Sequence, residues 1–291
     1  MTYIEPSFLI GVDGGGTGCR VAVGTASQGI LAEAKGGRAN VSTDFDEAIA
    51  NIMQATRTAL QDAGLDASQM GNAVAHLGLA GFTGPDIGAK VTAALPFGTS
   101  VVTEDTATTI VGAIGQDDGF VIALGTGTII ARQRDAVQKC IGGWCYQVSD
   151  QASGAWLGHG ALVQTLLVVD GIVPPSPLSQ HLLDTLGGGA GIVQFSLKAR
   201  PGDFATLAPD VVKAAAAGDG IGIELMQSGA AYLRSALGSL DYKTGDILCL
   251  AGGVGPHYAN YLPSDMTRNL AAAKGRAVDG AFALAMRAAR R

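Results

Sequence analysis

The sequence predicts an α/β protein of two domains, and three observations support this fold class. Two glycine-rich turns, at residues 13–17 and 125–128, each lie between short apolar runs, which is typical of β-hairpins. We call these segments glycine turn 1 and glycine turn 2. The strand-and-helix pattern that follows glycine turn 1 begins again at residue 119. The length of 291 residues is long for one hydrophobic core and comfortable for two.

The apolar periodicity predicts the elements of the first domain, residues 1–115. Asp44 is a candidate N-cap for a helix at about 44–63, because apolar residues recur there at helical spacing. The predicted order is β-β-β-α-β-(α)-β-α, and the C-terminal helix within 277–291 joins this domain. The other elements are strands at 8–12, 20–24, 30–34, 73–79 and 99–103 and a helix at 105–113.

The second domain, residues 116–276, repeats the hairpin and then becomes mostly helical. A late strand at 246–250 leads into a third glycine-rich segment. The proline-rich segment 174–177 and the glycine-rich segment 187–191 are predicted to be loops. The remaining elements are strands at 119–124 and 128–132, an apolar patch near 136–141, and helices at about 153–169, 203–217 and 220–240.

Composition and charge exclude several classes of function. The net charge of −6 provides no basic surface for a nucleic acid. The four cysteines lack the spacing of a zinc site. Their pattern is typical of reduced thiols in a cytoplasmic protein. Neither a signal peptide nor a membrane span is visible. We therefore expect a cytoplasmic protein without nucleic-acid or membrane partners.

The glycine turns are candidate phosphate-binding sites, since successive backbone N–H groups form a concavity that suits anions. The chain has no G-x-x-x-x-G-K-[ST] motif and no G-x-G-x-x-G motif at either hairpin, so neither a P-loop nor a dinucleotide fold is predicted. A purely structural hairpin is the alternative for glycine turn 1, because Asp-Gly is a strong hairpin signal in any protein. Three consecutive glycines and the recurrence of such a turn favour phosphate binding.

Five motifs occur in an order found in a known superfamily. They are Asp13-Gly-Gly-Gly-Thr17, Gly78-Leu-Ala-Gly81, Thr103-Glu-Asp105, Gly125-Thr-Gly-Thr128 and Ala251-Gly-Gly-Val254. In these motifs the chain resembles the sugar kinase, hsp70 and actin superfamily, and within it the BadF/BadG-type ATPase family. The resemblance covers the whole chain. It implies two ribonuclease-H-like (actin-type ATPase) domains with an interdomain cleft.

The segment 142–158 is similar to the GGWG…DxxSG…G segment of the N-acetylglucosamine and glucosamine kinases in that family. Cys145 stands where those kinases usually have a second glycine. Gln151 stands where N-acetylglucosamine kinases typically carry glutamate, and the Ser-Asp-Gln form is more similar to bacterial glucosamine kinases. These departures leave the identity of the amino sugar open.

The resemblance implies ATP and Mg²⁺ as cofactors. The carboxylate of Asp13, at the end of a strand, would hold Mg²⁺ through water, and an Asx turn is the alternative. Gly252 and Gly253 would pass beside adenosine, where a side chain would collide with the base. The phosphates would bind to Gly14, Gly15, Gly16 and Thr17 in glycine turn 1 and to Thr126, Gly127 and Thr128 in glycine turn 2.

Asp105 is the candidate catalytic base, because it resembles the residue that orients and deprotonates the sugar 6-hydroxyl. The alternative is an N-cap of the following helix, which would lower the pKa of Asp105. The other candidate sugar ligands are Asn40, Trp144 and Asp150, together with Thr126. Their alternatives are a turn residue for Asn40, core packing for Trp144 and a helix cap for Asp150.

We therefore expect an ATP-dependent amino-sugar kinase that phosphorylates the 6-hydroxyl of glucosamine or N-acetylglucosamine. The resemblance also implies a homodimer. One alternative is a BadF-type activator ATPase, which couples hydrolysis to an iron–sulfur cluster and needs suitably placed cysteines. Another is a sugar-sensing regulator with a DNA-reading helix-turn-helix, for which the residues before Phe8 are too few.

Overall fold

The computed structural model describes residues 8–135 and 137–290. The described chain is α/β, as predicted, and divides into two compact units. The first unit runs to Asp117 and resumes at Ala273, and the second unit is Asp118–Ala272. Residues 1–7, 136 and 291, which the domain and strand predictions include, lie outside the described residues.

The sheet of the first unit has five strands. They are β1 (Leu9–Gly14), β2 (Cys19–Thr25), β3 (Gly29–Gly36), β4 (Val74–Leu79) and β5 (Thr99–Glu104). Their order is β3-β2-β1-β4-β5. The first three strands form an antiparallel meander, whereas β4 and β5 run parallel to β1. All five strands lie where the apolar runs predicted them, to within three residues at each end.

The long helix of the first unit begins as the sequence predicts. It is α1 (Phe45–Asp62), and its N-cap Asp44 accepts a hydrogen bond of 3.0 Å from the backbone N–H of Glu47. The periodic apolar residues of α1 are buried in a core shared with β1, β2 and β4. The same unit contains α2 (Pro85–Ala94) and α3 (Asp105–Ile114).

The C-terminal helix α11 (Ala277–Ala288) packs on β1 and α3 of the first unit. These elements pack closely because a glycine of one faces the backbone of the other. A Cβ atom on Gly11 would lie 2.4 Å from the backbone nitrogen of Phe282. A Cβ atom on Gly280 would lie 2.0 Å from the carbonyl oxygen of Thr108. The helix therefore fixes α3, which begins at Asp105, against the sheet.

The sheet of the second unit also has five strands. They are β6 (Gly119–Leu124), β7 (Thr128–Arg134), β8 (Val137–Ile141), β9 (Leu248–Ala251) and β10 (Leu270–Ala271), in the order β10-β9-β6-β7-β8. β10 pairs through only two residues and carries no apolar alternation, so the sequence did not predict it. Both hairpins exist as predicted, because β1 pairs with β2 and β6 with β7.

A layer of helices covers the second sheet and shares one hydrophobic core with it. Two predictions are wrong here: the segment 187–191 is not a loop, and the helix expected at 203–217 is two helices. Gly187 (φ 83°) ends one helix, and a Cβ atom on Gly191 would lie 1.7 Å from the carbonyl oxygen of Leu186. Glycine therefore allows two helices to follow directly on each other. The helices are α4 (Gly154–Val169), α5 (Pro177–Leu186), α6 (Gly188–Lys198), α7 (Pro201–Ala205), α8 (Ala208–Ala216), α9 (Gly220–Ser239) and α10 (Ser264–Thr267).

Candidate functional site

Three parallel strands of the first unit end at the same edge of the sheet. In register, Asp13 of β1 pairs with Gly78 of β4, which pairs with Thr103 of β5. The carboxyl ends of β1, β4 and β5 therefore meet, and the residues that follow them lie close together. Ligands of open α/β sheets bind at such an edge. The candidate residues Asp13 and Asp105 both lie there.

The carboxylate of Asp13 pairs with Arg20, its cross-strand neighbour on β2, at 3.7 Å. Burial raises the pKa of Asp13, and the Arg20 guanidinium opposes this rise. Among the described residues no backbone N–H donates to this carboxylate, so Asp13 does not form the Asx turn that was the alternative. Arg20 was not predicted. Its position opposite Asp13 follows from the hairpin register and could have identified it.

Glycine turn 1 presents fewer open amides than predicted. Gly14 is the buried last residue of β1, and its carbonyl oxygen accepts a hydrogen bond of 2.7 Å from Ala80. The N–H of Gly15 donates to the carbonyl oxygen of Gly18 at 2.9 Å, inside the turn. Gly16 and Thr17 are exposed, and within the described chain their N–H groups donate no hydrogen bond. The N–H groups of Gly16 and Thr17 are therefore open donors of this turn, whereas that of Gly15 is not.

Asp105 is the first residue of α3, and the N-cap position belongs to Glu104. The alternative of an N-cap role for Asp105 is therefore wrong. Burial, followed by the negative charges of Asp13 and Glu104, raises the pKa of Asp105 to about 6, while the backbone N–H of Thr106 opposes the rise. A capping role would have lowered this pKa. A carboxyl group that titrates near 6 is suited to proton transfer at neutral pH.

Asn40 lies in the turn before α1, and its side-chain oxygen is already engaged. The Oδ1 atom accepts hydrogen bonds from the backbone N–H of Ser42 (3.0 Å), the hydroxyl of Ser42 (2.9 Å) and the backbone N–H of Thr43 (3.1 Å). The turn-residue alternative is therefore correct for the oxygen. Within the described chain the side-chain NH₂ group has no partner, so a ligand would meet Asn40 as a donor.

The turn that contains Asn40 is tied to glycine turn 1 and to the end of β4. The backbone N–H of Ala39 donates to the carbonyl oxygen of Gly15 at 3.0 Å, and the N–H of Val41 donates to Ala80 at 3.1 Å. A Cβ atom on Gly81 would lie 2.3 Å from Oδ1 of Asn40. The first unit therefore brings Asp13, glycine turn 1, Asn40 and Asp105 to one edge.

In the second unit, the N-terminus of α4 fixes the carbonyl groups of glycine turn 2. The N–H groups of Gly154 and Ala155 donate to the carbonyl oxygens of Gly125 (2.8 Å) and Thr126 (3.3 Å). With those carbonyls turned toward α4, the N–H groups of Thr126 and Gly127 have no acceptor among the described residues. These two amides are the open donors of glycine turn 2.

Thr128 and Asp150 stabilise glycine turn 2 from inside. The N–H of Thr128 donates to Oδ1 of Asp150 at 3.1 Å, and the Thr128 hydroxyl donates to the carbonyl oxygen of Gln151 at 2.7 Å. Thr128 is buried and both its donors are used, so it offers no phosphate ligand, contrary to our expectation. Asp150 does not cap α4, whose N-cap is Ser153. Burial raises the pKa of Asp150, and the Thr128 N–H opposes the rise.

A cavity of about 590 Å³ lies beside glycine turn 2 in the second unit. Thr126 of glycine turn 2 and Gly253 of the third glycine-rich segment both line it. Much of the remaining lining is apolar and comes from α7 and α8, including Ala208 and Val212. Lys213 contributes a positive charge to the lining, and His257 contributes a polar ring. The volume and the apolar lining are those of sites that hold small organic ligands.

Gly252 and Gly253, the adjacent glycines of the third glycine-rich segment, have different structural roles. Gly252 has φ 79°, and a Cβ atom there would lie 2.3 Å from the carbonyl oxygen of Leu124. It is needed for the turn itself. A Cβ atom on Gly253 would meet no atom within 4 Å, and this residue lines the cavity. Of the two, Gly253 is the one where a side chain would enter the cavity.

Trp144 is 81% exposed, so the core-packing alternative is wrong. It lines a separate groove of about 400 Å³ with Gln151 and with Tyr232 and Ser235 of α9. Burial, and after it the negative charge of Asp150, raises the pKa of Tyr232. Ser149 and Gln151, the sequence neighbours of Asp150, also line this groove, whereas Trp144 is outside the lining of the cavity beside glycine turn 2.

The part of the chain that the structure describes contains no group of three or more His, Cys, Asp or Glu side chains able to hold a metal ion. Cys19 and Cys249 are buried, Cys140 and Cys145 are exposed, and no disulfide joins them. Among the same residues, no helix combines the length and apolar character that a membrane crossing requires.

The chain is similar to proteins whose names concern amino-sugar phosphorylation. It is 28% identical to a glucosamine kinase of Vibrio cholerae over 281 residues, which cover 96% of each protein. It is 24% identical, over 62% of its length and 60% of the other's, to an N-acetylmuramic acid/N-acetylglucosamine kinase of Clostridium acetobutylicum. A crystal structure from Chromobacterium violaceum, described as a candidate N-acetylglucosamine kinase, is 33% identical with a TM-score of 0.89, covering 96% of this chain and 100% of that one.

The structural match confirms the predicted fold class, since the same two-domain ribonuclease-H-like architecture recurs over nearly the whole chain. The model of the BadF/BadG/BcrA/BcrD ATPase family matches residues 10–276. That range includes both glycine turns, Asp105 and the third glycine-rich segment. The chain therefore belongs to the BadF/BadG/BcrA/BcrD ATPase family.

Proposed function

We propose that this protein is a sugar kinase that transfers the γ-phosphoryl group of ATP to the 6-hydroxyl of glucosamine or N-acetylglucosamine. The observation that carries the proposal is the environment of Asp105. A carboxyl group with a pKa near 6 stands at the edge where three parallel strands end, beside a second carboxylate. Kinship with kinases of amino sugars supports this class of acceptor.

In this proposal Asp105 accepts a hydrogen bond from the 6-hydroxyl, orients its oxygen toward the γ-phosphorus and takes its proton. Phosphoryl transfer depends on positioning and charge neutralisation more than on covalent help from the protein. A base with a pKa near 6 is ionised at neutral pH and still basic enough to receive a proton late in the step. Glu104, not Asp105, occupies the N-cap position of α3.

The second unit supplies the nucleotide site in this proposal. The apolar wall from α8 would hold the base, and the open amides of Thr126 and Gly127 would receive phosphate oxygens. These amides are preorganised, because α4 fixes the carbonyl groups of the same peptides. The open amides of Gly16 and Thr17 in the first unit would bind phosphate in the same way.

The donor set around Asp13 fits Mg²⁺. This ion keeps several waters and binds through one or two carboxylates together with substrate phosphates, so a dedicated cluster of ligands is not required. The raised pKa values of Asp13 and Asp105 indicate a site where added positive charge is favourable. Asp13 would hold the ion, which neutralises phosphate charge when bound. Arg20 would balance the Asp13 carboxylate.

The sugar would be bound by the side-chain NH₂ of Asn40 and by the exposed ring of Trp144. The free donor of Asn40 suits a ring hydroxyl, and an exposed indole suits the apolar face of a sugar. Asp150 would serve the sugar through Oδ2, since its Oδ1 holds Thr128. Tertiary placement of Asn40 at the edge with Asp105 supports the first assignment.

A coupled assay of ADP release tests the proposal with glucosamine, N-acetylglucosamine, N-acetylmannosamine and glucose as acceptors. We expect release that depends on one of the first two sugars. The variant Asp105→Asn should lower kcat by about 10²- to 10⁴-fold, as loss of a general base does. The matched control Asp86→Asn changes an exposed carboxylate in the first turn of α2, in the same unit, and should retain full activity. Release of ADP without any sugar dependence would contradict the proposal.

A further inference from the structure

A buried histidine lies beneath the edge that carries Asp105. His76 is on β4, two residues before Gly78, and is only 4% exposed. Burial lowers the pKa of His76 to about 4, so the ring is neutral at physiological pH. A buried imidazole needs hydrogen-bond partners to offset its lost hydration. Its Nε2 atom lies 3.1 Å from the hydroxyl oxygen of Thr103 on β5.

The hydroxyl of Thr103 decides which way this hydrogen bond runs. A threonine hydroxyl has one proton to donate, and Thr103 donates it to the carbonyl oxygen of Glu104 at 3.1 Å. Toward His76 the hydroxyl can then only accept. The Nε2 atom of His76 therefore carries the proton, and the bonds run from His76 to Thr103 to the Glu104 carbonyl group.

This chain of hydrogen bonds ends on the peptide group that joins Glu104 to Asp105. Glu104, at the N-cap of α3, makes no side-chain cap, so the usual device for fixing a helix start is absent at this helix. The next carbonyl group, that of Asp105, accepts a hydrogen bond of 2.9 Å from the hydroxyl of Thr108. Two threonine hydroxyls thus hold the carbonyl groups on either side of the Asp105 Cα atom, which restricts the direction of its Cα–Cβ bond.

We propose that His76 is a positioning residue for Asp105, acting through Thr103 and the Glu104 carbonyl group. The role rests on the proposed function, because it matters for catalysis only if Asp105 receives the proton of the sugar. His76 touches neither substrate nor nucleotide in this scheme. Its contribution is to hold the 104–105 peptide plane, and with it the carboxylate, in one orientation.

The activity test uses shape-conserving variants. His76→Leu and Thr103→Val should each lower kcat about 10-fold or more, with the KM for ATP within about twofold, because a small misplacement of a catalytic group is costly. The double variant should be no worse than the weaker single variant, since both break one chain. His76→Gln places an amide N–H near the Nε2 position, and Thr103→Ser keeps the hydroxyl, so both should restore most of the lost rate.

The matched control for the threonine change is Thr56→Val. Thr56 is fully buried in the same unit, and its hydroxyl donates to the carbonyl oxygen of Ile52 at 2.8 Å within α1. It has no link to Asp105, so its loss should affect stability and leave kcat unchanged. Equal kcat values for Thr103→Val and Thr56→Val would overturn the proposal, as would additive effects of His76→Leu and Thr103→Val.

A second readout does not depend on activity. The chain has four histidines, so the ¹⁵N resonances of their rings are assignable, with His76→Gln identifying the signal of His76 by its loss. We expect the neutral Nε2–H form at every pH from about 5 to 9. A neutral Nδ1–H form, or a ring that becomes charged in this range, would overturn the proposal. An Nε2–H ring in a protein without sugar-dependent ADP release would instead refute the proposed function and leave the hydrogen-bond chain in place.

Discussion

Gly280 of α11 lies with its Cα atom against the carbonyl group of Thr108 of α3, so closely that a Cβ atom would lie 2.0 Å from the carbonyl oxygen. A Cβ atom on Gly78 of β4 would lie 2.3 Å from the hydroxyl oxygen of the same Thr108. The helix that begins at Asp105 therefore packs closely against both β4 and α11, and a glycine makes each contact possible. The position of the candidate base depends on packing near the C-terminus, far away in sequence.

Gly280→Ala should destabilise the protein and also lower its activity. The added methyl group must push α11 away from α3, because the atom it meets belongs to backbone and cannot rotate away. Overpacking of this kind costs about 1–3 kcal/mol of the free energy of unfolding. Chemical denaturation measures the cost. Sugar-dependent ADP release at a temperature where the variant is folded then reports whether Asp105 has moved.

The control for this change is Gly238→Ala in α9, where a Cβ atom would meet no atom within 4 Å. Alanine favours a helix by up to about 1 kcal/mol over glycine, so this variant should be as stable as the parent or slightly more stable. A Gly280→Ala variant as stable and as active as Gly238→Ala would show that α3 and α11 do not pack as described.

The raised pKa of Asp105 gives the apo protein a specific dependence of stability on pH. The folded state holds the proton of Asp105 up to a pKa of about 6, whereas the unfolded chain releases it near 3.8. Between these values the folded state binds more protons than the unfolded chain. The free energy of unfolding of the parent protein therefore falls as the pH rises through this window, because the buried carboxyl group becomes charged. Above it, Asp105→Asn should be more stable than the parent by about 1–3 kcal/mol.

Denaturation of both proteins at pH 4, 5, 6 and 7, without nucleotide or Mg²⁺, measures this difference. The gap should widen up to pH 6 and then remain constant. Asp86→Asn, whose carboxylate is exposed, should show no gain at any pH. A constant difference between Asp105→Asn and the parent from pH 4 to pH 7 would contradict the raised pKa.

The sequence was sufficient to place the hairpins, α1 and the strand ends, because these depend on local signals. Apolar runs define the strands, and Asp44 caps α1 through a neighbour three residues away. The parallel order of β1, β4 and β5 then brings Asp13 and Asp105 to one edge, which the family resemblance had implied. The environment of Asp105 depends on Asp13, 92 positions earlier by their residue numbers, and so was not visible locally.

The availability of donors could not be predicted from residue types. Seven residues of the two glycine turns were candidate phosphate ligands, yet the N–H groups of Gly15 and Thr128 are used inside the protein. Thr128 is bound by Asp150, which follows it by 22 positions and which the sequence suggested only as a sugar ligand or a helix cap. The helix 188–198 was missed for a similar reason, since Gly191 allows close packing against the backbone of Leu186 rather than forming a loop.

Gly252 and Gly253 should respond to substitution in opposite ways. Gly253→Leu places a side chain in the cavity beside glycine turn 2 without meeting protein atoms at its Cβ position. We expect nucleotide binding about 10-fold weaker or worse, because the added volume occupies space needed by the ligand. Gly252→Ala forces a Cβ atom toward the carbonyl oxygen of Leu124 at a positive φ, so it should lower stability.

Thermal unfolding and titration with a fluorescent ATP analogue separate the two effects. Gly253→Leu should keep the parental Tm within about 2 °C, a shift of less than about 1 kcal/mol for a protein of this size. Unchanged nucleotide affinity in this variant would show that the cavity is not the nucleotide site. An unfolding temperature for Gly252→Ala equal to that of the parent would refute the turn geometry.

Asp150 has two roles to separate, support of glycine turn 2 through Oδ1 and contact with the sugar through its charge. Asp150→Ala leaves the buried N–H of Thr128 without an acceptor, which costs about 1–3 kcal/mol of stability. The loosened turn should also raise the KM for ATP, because the Thr126 and Gly127 amides lose their fixed direction. Asp150→Asn keeps an oxygen acceptor and should retain both the stability and the KM for ATP.

Steady-state kinetics of the two variants then report the sugar contact. If the carboxylate also binds the sugar, Asp150→Asn should raise the KM for the sugar about 10-fold while the KM for ATP stays near the parental value, as loss of a charged hydrogen bond does. Parental KM values for both substrates in Asp150→Asn would restrict Asp150 to supporting the turn. If Asp150→Ala were as stable as the parent, Asp150 would not be needed to support the turn, because the Thr128 N–H would have found another acceptor.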